Sequence, residues 1–189
     1  MSEKEKINVS LSSAYRLLHP MHTVLVSCVG TIEKPNIITL AWAMPTSINP
    51  PLVAVSIAPK RYSHTLIEKT MEFVINIPTM NILKETLFCG IVSGRNHDKF
   101  AEAKLTPLPA RKVKPPIIKE CVAHLECKLH SKLITGDHTI FVGEIVEAYT
   151  DKDALTEKGE YDLEKTRMIF HLGGDEFATL KPEVFKPRL

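Results

Sequence analysis

The sequence predicts a mostly β protein, either an antiparallel barrel or a sandwich with short helices at its edges. About seven segments have the β-branched content or the alternation typical of strands, and about three short segments are typical of helices. Strands and helices do not alternate regularly along the chain, so a doubly wound parallel sheet is not indicated. The 189 residues, 44% of them hydrophobic, are expected to form a single domain, residues 1–189. Within it we assign 1–20 as an N-terminal extension and 150–189 as a C-terminal arm.

The first elements are predicted from a capping residue and from runs of apolar residues. Residues 12–18 are expected to form a short helix that ends before Pro20, because a residue before proline disfavours helical backbone. Residues 21–30 and 36–43 are rich in Val, Ile, Leu and Thr, which is typical of strands. The short turn between them predicts that these two strands form a hairpin.

Two loops that carry hydroxyl groups flank the next predicted strand, residues 52–57. Residues 44–47 contain Pro45, Thr46 and Ser47 and are expected to break the preceding strand; a turn follows at 49–51. Residues 61–65, RYSHT, are predicted to cap a helix that continues over 66–70. Backbone N–H groups, short hydroxyls and a cation at a helix start suit a phosphate group. The alternative interpretation is that these Ser and Thr residues are ordinary turn and cap residues.

The second half of the chain is predicted to contain most of the remaining strands. The long strands at 121–134 and 138–149 alternate apolar and polar side chains and are joined by a turn at 136–137, which predicts a hairpin. Residues 105–116 contain four prolines, so we expect an extended surface connection there. The other expected elements are strands at 72–77 and 166–172, helices at 81–88 and 98–103, a helix end at residues 89–90, loops at 93–95 and 151–162, a turn at 173–174 and a short extended piece at 176–180.

Composition and motifs exclude several classes of function. The formal net charge is +2 with basic and acidic residues interspersed, so no nucleic-acid footprint is indicated. No apolar run is long enough for a membrane span and no signal peptide is visible, so we expect a cytoplasmic protein with no membrane partner. The four cysteines form no CxxC pair, and no metal site is predicted. Walker and GxGxxG motifs are absent, which disfavours P-loop and Rossmann nucleotide sites. Cys89 is interpreted as an ordinary neighbour of a helix end unless a histidine such as His97 or His138 lies beside it.

The order and wording of the segments resemble the flavin reductase-like proteins with the FMN-binding split-barrel fold, and the flavoredoxin branch most of all. The matching phrases cover most of residues 21–149, with one more near the end of the chain. They are NIITLAWAMPTSINPPLVAVSIAPKRYSHTLI, EFVINIP, CGIVSGRNHDKF, LTPLPARKVKPPIIKECVAHLECKL, GDHTIFVGEIV and HLGGDEFATL. The resemblance implies a six-stranded antiparallel split barrel, a homodimer and one FMN per subunit near the dimer interface.

The resemblance also implies which residues bind the flavin. A first group would run along the ring and ribityl chain: Ala41, Trp42, Ala43, Met44, Pro45 and Thr46. Thr46 would also hold the phosphate, together with Arg61, Ser63, His64 and Thr65. A third group would close over the flavin or its tail: Cys89, Gly90, Ser93, Gly94 and Arg95, with Lys99 behind it. His138 would lie near the flavin edge where a nicotinamide stacks, and no residue is assigned as catalytic beyond this possibility.

Two functions follow from the resemblance. The first is an NAD(P)H-dependent flavin reductase that passes hydride from NADH or NADPH to FMN and electrons on to an acceptor. The second is a flavoredoxin-like electron-transfer protein that a protein partner reduces. The acceptor is then a small molecule or a protein. A binding barrel that has lost the flavin is disfavoured by the intact PTS, RYSHT and CGxxSG phrases.

Overall fold

The computed structural model describes residues 4–30 and 34–187. It is mostly β, with twelve strands in these ranges: β1 Met21–His22, β2 Val24–Cys28, β3 Asn36–Leu40, β4 Ala43–Ser47, β5 Leu52–Ile57, β6 Glu72–Ile77, β7 Pro107–Leu108, β8 Ile117–Ile118, β9 Ala123–Thr135, β10 His138–Thr150, β11 Phe170–Gly173 and β12 Glu176–Ala178. The helices are α1 Tyr62–Thr70, α2 Leu83–Ile91 and α3 Lys99–Glu102, with 3₁₀ helices at Leu11–Leu18 and Met80–Ile82.

The main sheet is antiparallel and contains seven strands in the order β3-β2-β6-β9-β10-β5-β4. The two strands at its edges, β3 and β4, are consecutive in the chain and are separated only by Ala41 and Trp42. The sheet therefore curls so that its two edge strands approach each other at this connection, and Ser56 N–H of β5 donates to the Trp42 carbonyl at 2.9 Å, which extends the pairing of β5 with β4. The predicted barrel class is confirmed; the sheet has seven strands where the resemblance implied six.

The curled sheet packs against apolar side chains on its inner face and on part of its outer face. Inside it, side chains such as Val26, Val55 and Phe73 form the main core. On the outer face of β2 and β3, Leu25 and Ile37 pack against α2, α3 and their neighbours. Fully burying an aliphatic side chain contributes about 1.5–3 kcal/mol, so these two layers fix the positions of β3, α2 and α3 relative to one another.

Several predicted elements differ from those observed, among them the strand expected at 166–172, which begins only at Phe170. Residues 44–47 are not a loop but lie in β4, where Pro45 is tolerated because an edge strand does not need its N–H. The helix predicted over 66–70 begins earlier, at Tyr62, and its N-cap residue Arg61 makes no side-chain capping bond. Residues 89–90 do not end α2, which continues to Ile91. The strand expected at 21–30 is divided at Thr23 into β1 and β2, which belong to different sheets.

The connection at 105–116 is extended, as predicted, but it is not wholly on the surface. Val113 is buried, and the carboxylate of Glu126 accepts bonds from the backbone N–H groups of Arg111 and Lys112 at 2.8 and 2.6 Å. Burial acts to raise the pKa of Glu126, but these bonds and one from the Tyr149 hydroxyl outweigh it and lower the pKa. The buried carboxylate thus anchors a proline-rich segment that has few ladder bonds of its own.

Beyond the main sheet, the two ends of the chain meet. β1 pairs with β11, and β11 pairs with β12, so the segment after the N-terminal 3₁₀ helix joins the C-terminal arm in a three-stranded sheet. His19 Nδ1 lies 3.1 Å from the carbonyl oxygen of His171. Within residues 4–30 and 34–187, no helix is long and apolar enough to span a membrane, and no group of three or more potential ligands is placed to hold a metal ion.

Candidate functional site

Two adjoining cavities lie at the open side of the barrel. The larger has a volume of about 430 Å³ and the smaller about 190 Å³. Four residues line both: Ile38, Lys60, Arg61 and Gly90. The larger volume is within the range of about 300–1,000 Å³ that is usual for small-molecule sites. Because the two cavities share a wall, one elongated ligand can occupy both.

The smaller cavity is built where β3 begins and α1 begins. Asn36, at the first position of β3, donates from Nδ2 to the Ser63 hydroxyl at 2.7 Å. Both side chains are buried, and the Asn36 Oδ1 atom has no hydrogen-bond partner among the described residues. The first residues of α1 line the same space, so the positive end of this nine-residue helix faces it. The cavity therefore offers donors and a favourable field to an anionic group.

Gly94 forms another part of the smaller cavity and packs closely against β3. A Cβ atom built there would lie 2.0 Å from Asn36 Oδ1 and 3.2 Å from Tyr62 Cδ1. The first contact is far inside van der Waals distance, so any side chain at this position would force the Asn36 amide or the loop after α2 to move. The close approach brings backbone of residues 92–94 to the edge of the cavity.

A buried cation completes the smaller cavity. The Lys99 ammonium, at the start of α3, donates to the carbonyl oxygens of Ile37 and Cys89 at 2.8 and 2.7 Å. Burial lowers the pKa of Lys99 from its ordinary 10.5 to about 8, because an apolar environment disfavours the charged form. An ammonium has three N–H donors, and these two bonds leave the third available.

The charged side chains that line the two cavities are basic. Their lining includes Arg16, Lys60, Arg61 and Lys99. None of the Asp and Glu residues that the structure describes lines either cavity. Arg61 also forms no ion pair with a described carboxylate. A cation without a carboxylate partner at a cavity wall attracts anions, so this arrangement favours a ligand with at least one negative group.

The larger cavity is lined by aromatic and imidazole rings. Trp42 lies in the gap between β3 and β4, and its ring centroid is 4.8 Å from that of His138 and 5.6 Å from that of Tyr15. Asp137 accepts from His138 Nδ1 at 2.7 Å, which leaves Nε2 as the unprotonated atom in the neutral ring. The bond to this imidazole lowers the pKa of the exposed Asp137. Flat apolar rings with an adjacent imidazole suit a planar conjugated ligand.

Eight of the sixteen residues that the resemblance assigns to FMN line these cavities. They are Ala41, Trp42, Arg61, Ser63, Gly90, Ser93, Gly94 and Lys99. His138 also lines the larger cavity, beside Trp42. The structure thus brings together residues that are far apart in the sequence.

The remaining named residues do not line either cavity: Ala43, Met44, Pro45, Thr46, His64, Thr65, Cys89 and Arg95. Met44, Pro45 and Thr46 are exposed on the edge strand β4. His64 Nε2 is instead 3.0 Å from the Thr139 hydroxyl, and Cys89 is buried in the outer core, where burial raises the pKa of its thiol to about 11. Arg95 stacks on the Tyr62 ring. No catalytic Cys/His pair is present at Cys89 among the described contacts.

Six residues that line the larger cavity were not predicted from the sequence. We call this set the terminal wall, because it comes from the N-terminal 3₁₀ helix and the C-terminal arm: Tyr15, Arg16, His19, His171, Gly173 and Phe177. Nor was Asn36 predicted, which the sequence presents only as the start of a strand. The HLGGDEFATL phrase was the one local signal for the C-terminal residues; nothing local indicated that the two ends of the chain meet.

Comparisons with known proteins agree with this geometry. A family model described as a flavin reductase like domain matches residues 15–171. An uncharacterized protein of Archaeoglobus fulgidus is 40% identical over 170 residues, which cover 90% of this chain and 94% of that protein. The flavoredoxin of Desulfovibrio vulgaris (Miyazaki F) is similar in structure, with a TM-score of 0.85, 30% identity and coverage of 95% and 97% of the two chains. An FMN-binding protein of Thermus thermophilus, solved with bound 1-cyclohex-2-enone, has a TM-score of 0.85, 25% identity and coverage of 97% and 99%.

Proposed function

The chain belongs to the flavin reductase like domain family, and we propose that it binds FMN and acts as an NAD(P)H-dependent flavin oxidoreductase. The observation that carries this proposal is the pair of adjoining cavities with different chemistry. The larger is lined by rings, as a planar ring system requires, and the smaller by a helix start and cations, as a phosphate requires. FMN has a planar ring system at one end and a phosphate at the other.

The residues of the smaller cavity fit a phosphate in chemistry as well as in position. The first turn of α1, Ser63 and Arg61 supply donors, and Lys99 supplies a buried positive charge. The unpartnered Asn36 Oδ1 accepts a hydroxyl of the ribityl chain in this assignment. No described carboxylate at the cavity repels the anion. We assign the ring system to the larger cavity, against Trp42 and the backbone of residues 40–42.

The flavin supplies the redox chemistry when bound, so the chain has to bind it, orient it and control access to it. Trp42, in the link between β3 and β4, and Gly90, in α2, both line the larger cavity and would contact the ring system there. His138, whose Nδ1 is held by Asp137, presents its second nitrogen to a substrate and exchanges a proton there. NADH or NADPH is the proposed electron donor, and a small molecule or a protein is the acceptor.

A flavoredoxin-like electron carrier is the second candidate function. The observation that favours it is the structural similarity to the flavoredoxin of Desulfovibrio vulgaris, at 30% identity over 95% of this chain. In that case the same FMN site would be reduced by a protein partner. We also propose a homodimer in the cytoplasm. Exposed apolar side chains such as Ile48, which is 95% exposed, and Ile134, 76% exposed, support an interface between copies.

The test is the visible absorption spectrum of the purified protein under anaerobic conditions, before and after NADH or NADPH is added. A flavin spectrum that bleaches on adding either nucleotide supports the reductase. A bound flavin that stays oxidised favours the electron carrier, and a protein that binds no added FMN contradicts both. Sedimentation at micromolar concentration tests the dimer, which a monomer would contradict.

A matched pair of variants tests the phosphate assignment. Arg61→Gln should raise the FMN Kd about tenfold, because it removes a charge-assisted contact to the phosphate. Arg167→Gln removes the same charge from an exposed position that lines neither cavity, and should leave the Kd unchanged. Equal effects of the two variants would show that only the overall charge matters.

A further inference from the structure

We infer that the terminal wall binds a planar aromatic anion, and that Arg16 is the residue that recognises its negative group. This inference rests on the proposed function, because it names the class of substrate that meets the flavin at the larger cavity. It concerns a part of the cavity that the phosphate and the ring system of FMN leave unassigned. Three independent features of the wall support it.

The first feature is a continuous series of rings. From Trp42 the series runs to Tyr15, at 5.6 Å between ring centroids, and from Tyr15 to His19 at 6.0 Å. It continues to His171 at 5.4 Å and ends at Phe177 at 5.3 Å. All these rings line the larger cavity. These edge-on and tilted rings select a flat ligand over a branched one of the same volume.

The second feature is a cation that the flavin assignment does not use. Lys60 and Arg61 line both cavities, whereas Arg16 lines only the larger one. One guanidinium nitrogen of Arg16 lies 3.9 Å from the point that a Cβ on Gly173 would occupy, so the side chain reaches across to the C-terminal arm. No described carboxylate pairs with Arg16. Its fork of N–H donors matches a carboxylate or a sulfonate.

The third feature is a pair of buried polar atoms without partners. His19 Nδ1 donates to the His171 carbonyl, so in the neutral ring Nε2 is an acceptor, and it has no partner among residues 4–30 and 34–187. Oγ1 of Thr23, a residue outside the terminal wall that is 1% exposed, likewise has no partner among the described residues. Both residues line the larger cavity. Buried polar atoms are nearly always hydrogen-bonded, so a polar ligand here would supply missing partners. The Thr23 hydroxyl can donate to an anionic group, whereas the neutral His19 Nε2 requires an N–H or O–H donor on the ligand.

Two probes of equal shape test the inference directly. Naphthalene-2-sulfonate is a planar anion, and naphthalene-2-sulfonamide is its neutral counterpart. Each is titrated into the FMN-loaded protein by calorimetry at low salt, and the contacted residues are mapped by NMR. We expect the sulfonate to bind about three- to tenfold more tightly, with shift changes at Tyr15, His19 and His171. The preference should decrease as salt is raised, since exposed charges are screened.

Variants assign the preference to one residue. Arg16→Gln should abolish the preference for the anion without changing the sulfonamide affinity, and Arg16→Lys should restore part of it. The fold should be retained, because the 3₁₀ helix that carries Arg16 contains no buried residue. Arg167→Gln, which removes an exposed charge that lines neither cavity, should keep the full preference.

The outcomes separate this inference from the proposed function. Equal binding of the two probes, an unchanged preference in Arg16→Gln, or release of FMN by the sulfonate would each overturn the inference. The flavin content is read from the visible spectrum of the same sample. A protein without flavin that still prefers the sulfonate through Arg16 would contradict the proposed function and leave the anion site standing.

Discussion

The smaller cavity and the terminal wall adjoin the same binding space but are built in opposite ways. Asn36, Ser63 and Lys99 are at most 4% exposed and belong to elements that pack on the two core layers. The terminal wall comes from a 3₁₀ helix that buries none of its residues and from a short C-terminal hairpin. A site fixed by the core is suited to a resident cofactor, and a site on exposed elements is suited to ligands that exchange. Burial, more than residue type, therefore distinguishes these two regions.

The largest effect on FMN binding is expected from a substitution at the tightest contact of the smaller cavity, between Gly94 and Asn36. Gly94→Ala places a methyl group 2.0 Å from Asn36 Oδ1, so either the loop or the asparagine must move. Overpacking of this kind costs about 1–3 kcal/mol, so the FMN Kd should rise about 10- to 100-fold in a fluorescence titration. Gly159→Ala is the control, since its Cβ meets nothing within 4 Å. Its φ of +78° strains an alanine, so this variant should lose some stability but leave FMN binding unchanged. Wild-type FMN affinity in Gly94→Ala would contradict the claim that the packing of Gly94 against Asn36 fixes the shape of the smaller cavity.

A second pair of variants separates a buried hydroxyl from an exposed one. Ser63→Ala removes the partner of Asn36 Nδ2 and a donor at the smaller cavity, so the FMN Kd should rise about tenfold. Thr46→Ala, in the exposed strand β4, should change the Kd less than twofold. The resemblance assigns both hydroxyls to the phosphate, and that assignment of Thr46 stays a prediction. A strong effect of Thr46→Ala would support it and would show that β4 contributes to a flavin site, in this chain or in a second copy.

The buried lysine predicts a pH dependence with a definite sign. The pKa of Lys99 in the free protein is lowered to about 8, and a bound phosphate should raise it again. At a pH between the pKa of Lys99 in the free protein and its higher pKa in the complex, FMN binding must be accompanied by uptake of a proton. The FMN Kd should therefore rise by up to tenfold per pH unit above about pH 8 and be flat below it. The neighbouring thiols of Cys28 and Cys89, each with a pKa raised to about 11, do not titrate in this window.

Lys99→Met tests the origin of that slope. The variant should bind FMN more weakly at pH 7 and should lose the rise in Kd above pH 8. Its unfolding free energy should also lose a pH dependence: because the folded-state pKa is depressed, wild-type stability should increase as pH rises from about 8 toward 10.5. An unchanged slope in Lys99→Met would assign the titration to another group.

The smallest effect is expected at the terminal wall. Tyr15→Leu removes ring contacts with Trp42 and His19, each worth about 1 kcal/mol at most, from a helix without buried residues. Thermal unfolding should shift only slightly, and the FMN Kd should change less than about threefold. Tyr15→Phe keeps both ring contacts and serves as the control. Loss of FMN in Tyr15→Leu would show that the wall holds the cofactor and would remove the distinction between the two regions.

Elements with a clear local pattern of apolar and polar side chains could be predicted from the sequence alone. The strands predicted at 52–57 and 72–77 are observed at the same bounds, and the long hairpin turns at 136–137 as predicted. Runs of β-branched residues and alternation are local properties, because they follow from which face of one strand is buried. The resemblance assigns Trp42, Ser63 and Lys99 to one flavin site, and all three line the two adjoining cavities.

Only the tertiary structure decided which of those segments meet. Three examples are long-range contacts that no local sequence pattern indicates. Residues 43–47 pair with β5 as an edge strand, Asn36 bonds to Ser63, and His19 bonds to the carbonyl of His171. These contacts depend on closure of the barrel. β3 and β4 are the two edges of the seven-stranded sheet, and the curling of the sheet brings them close to each other. The cavity lies where those long-range contacts converge, so its lining is decided by the fold as a whole.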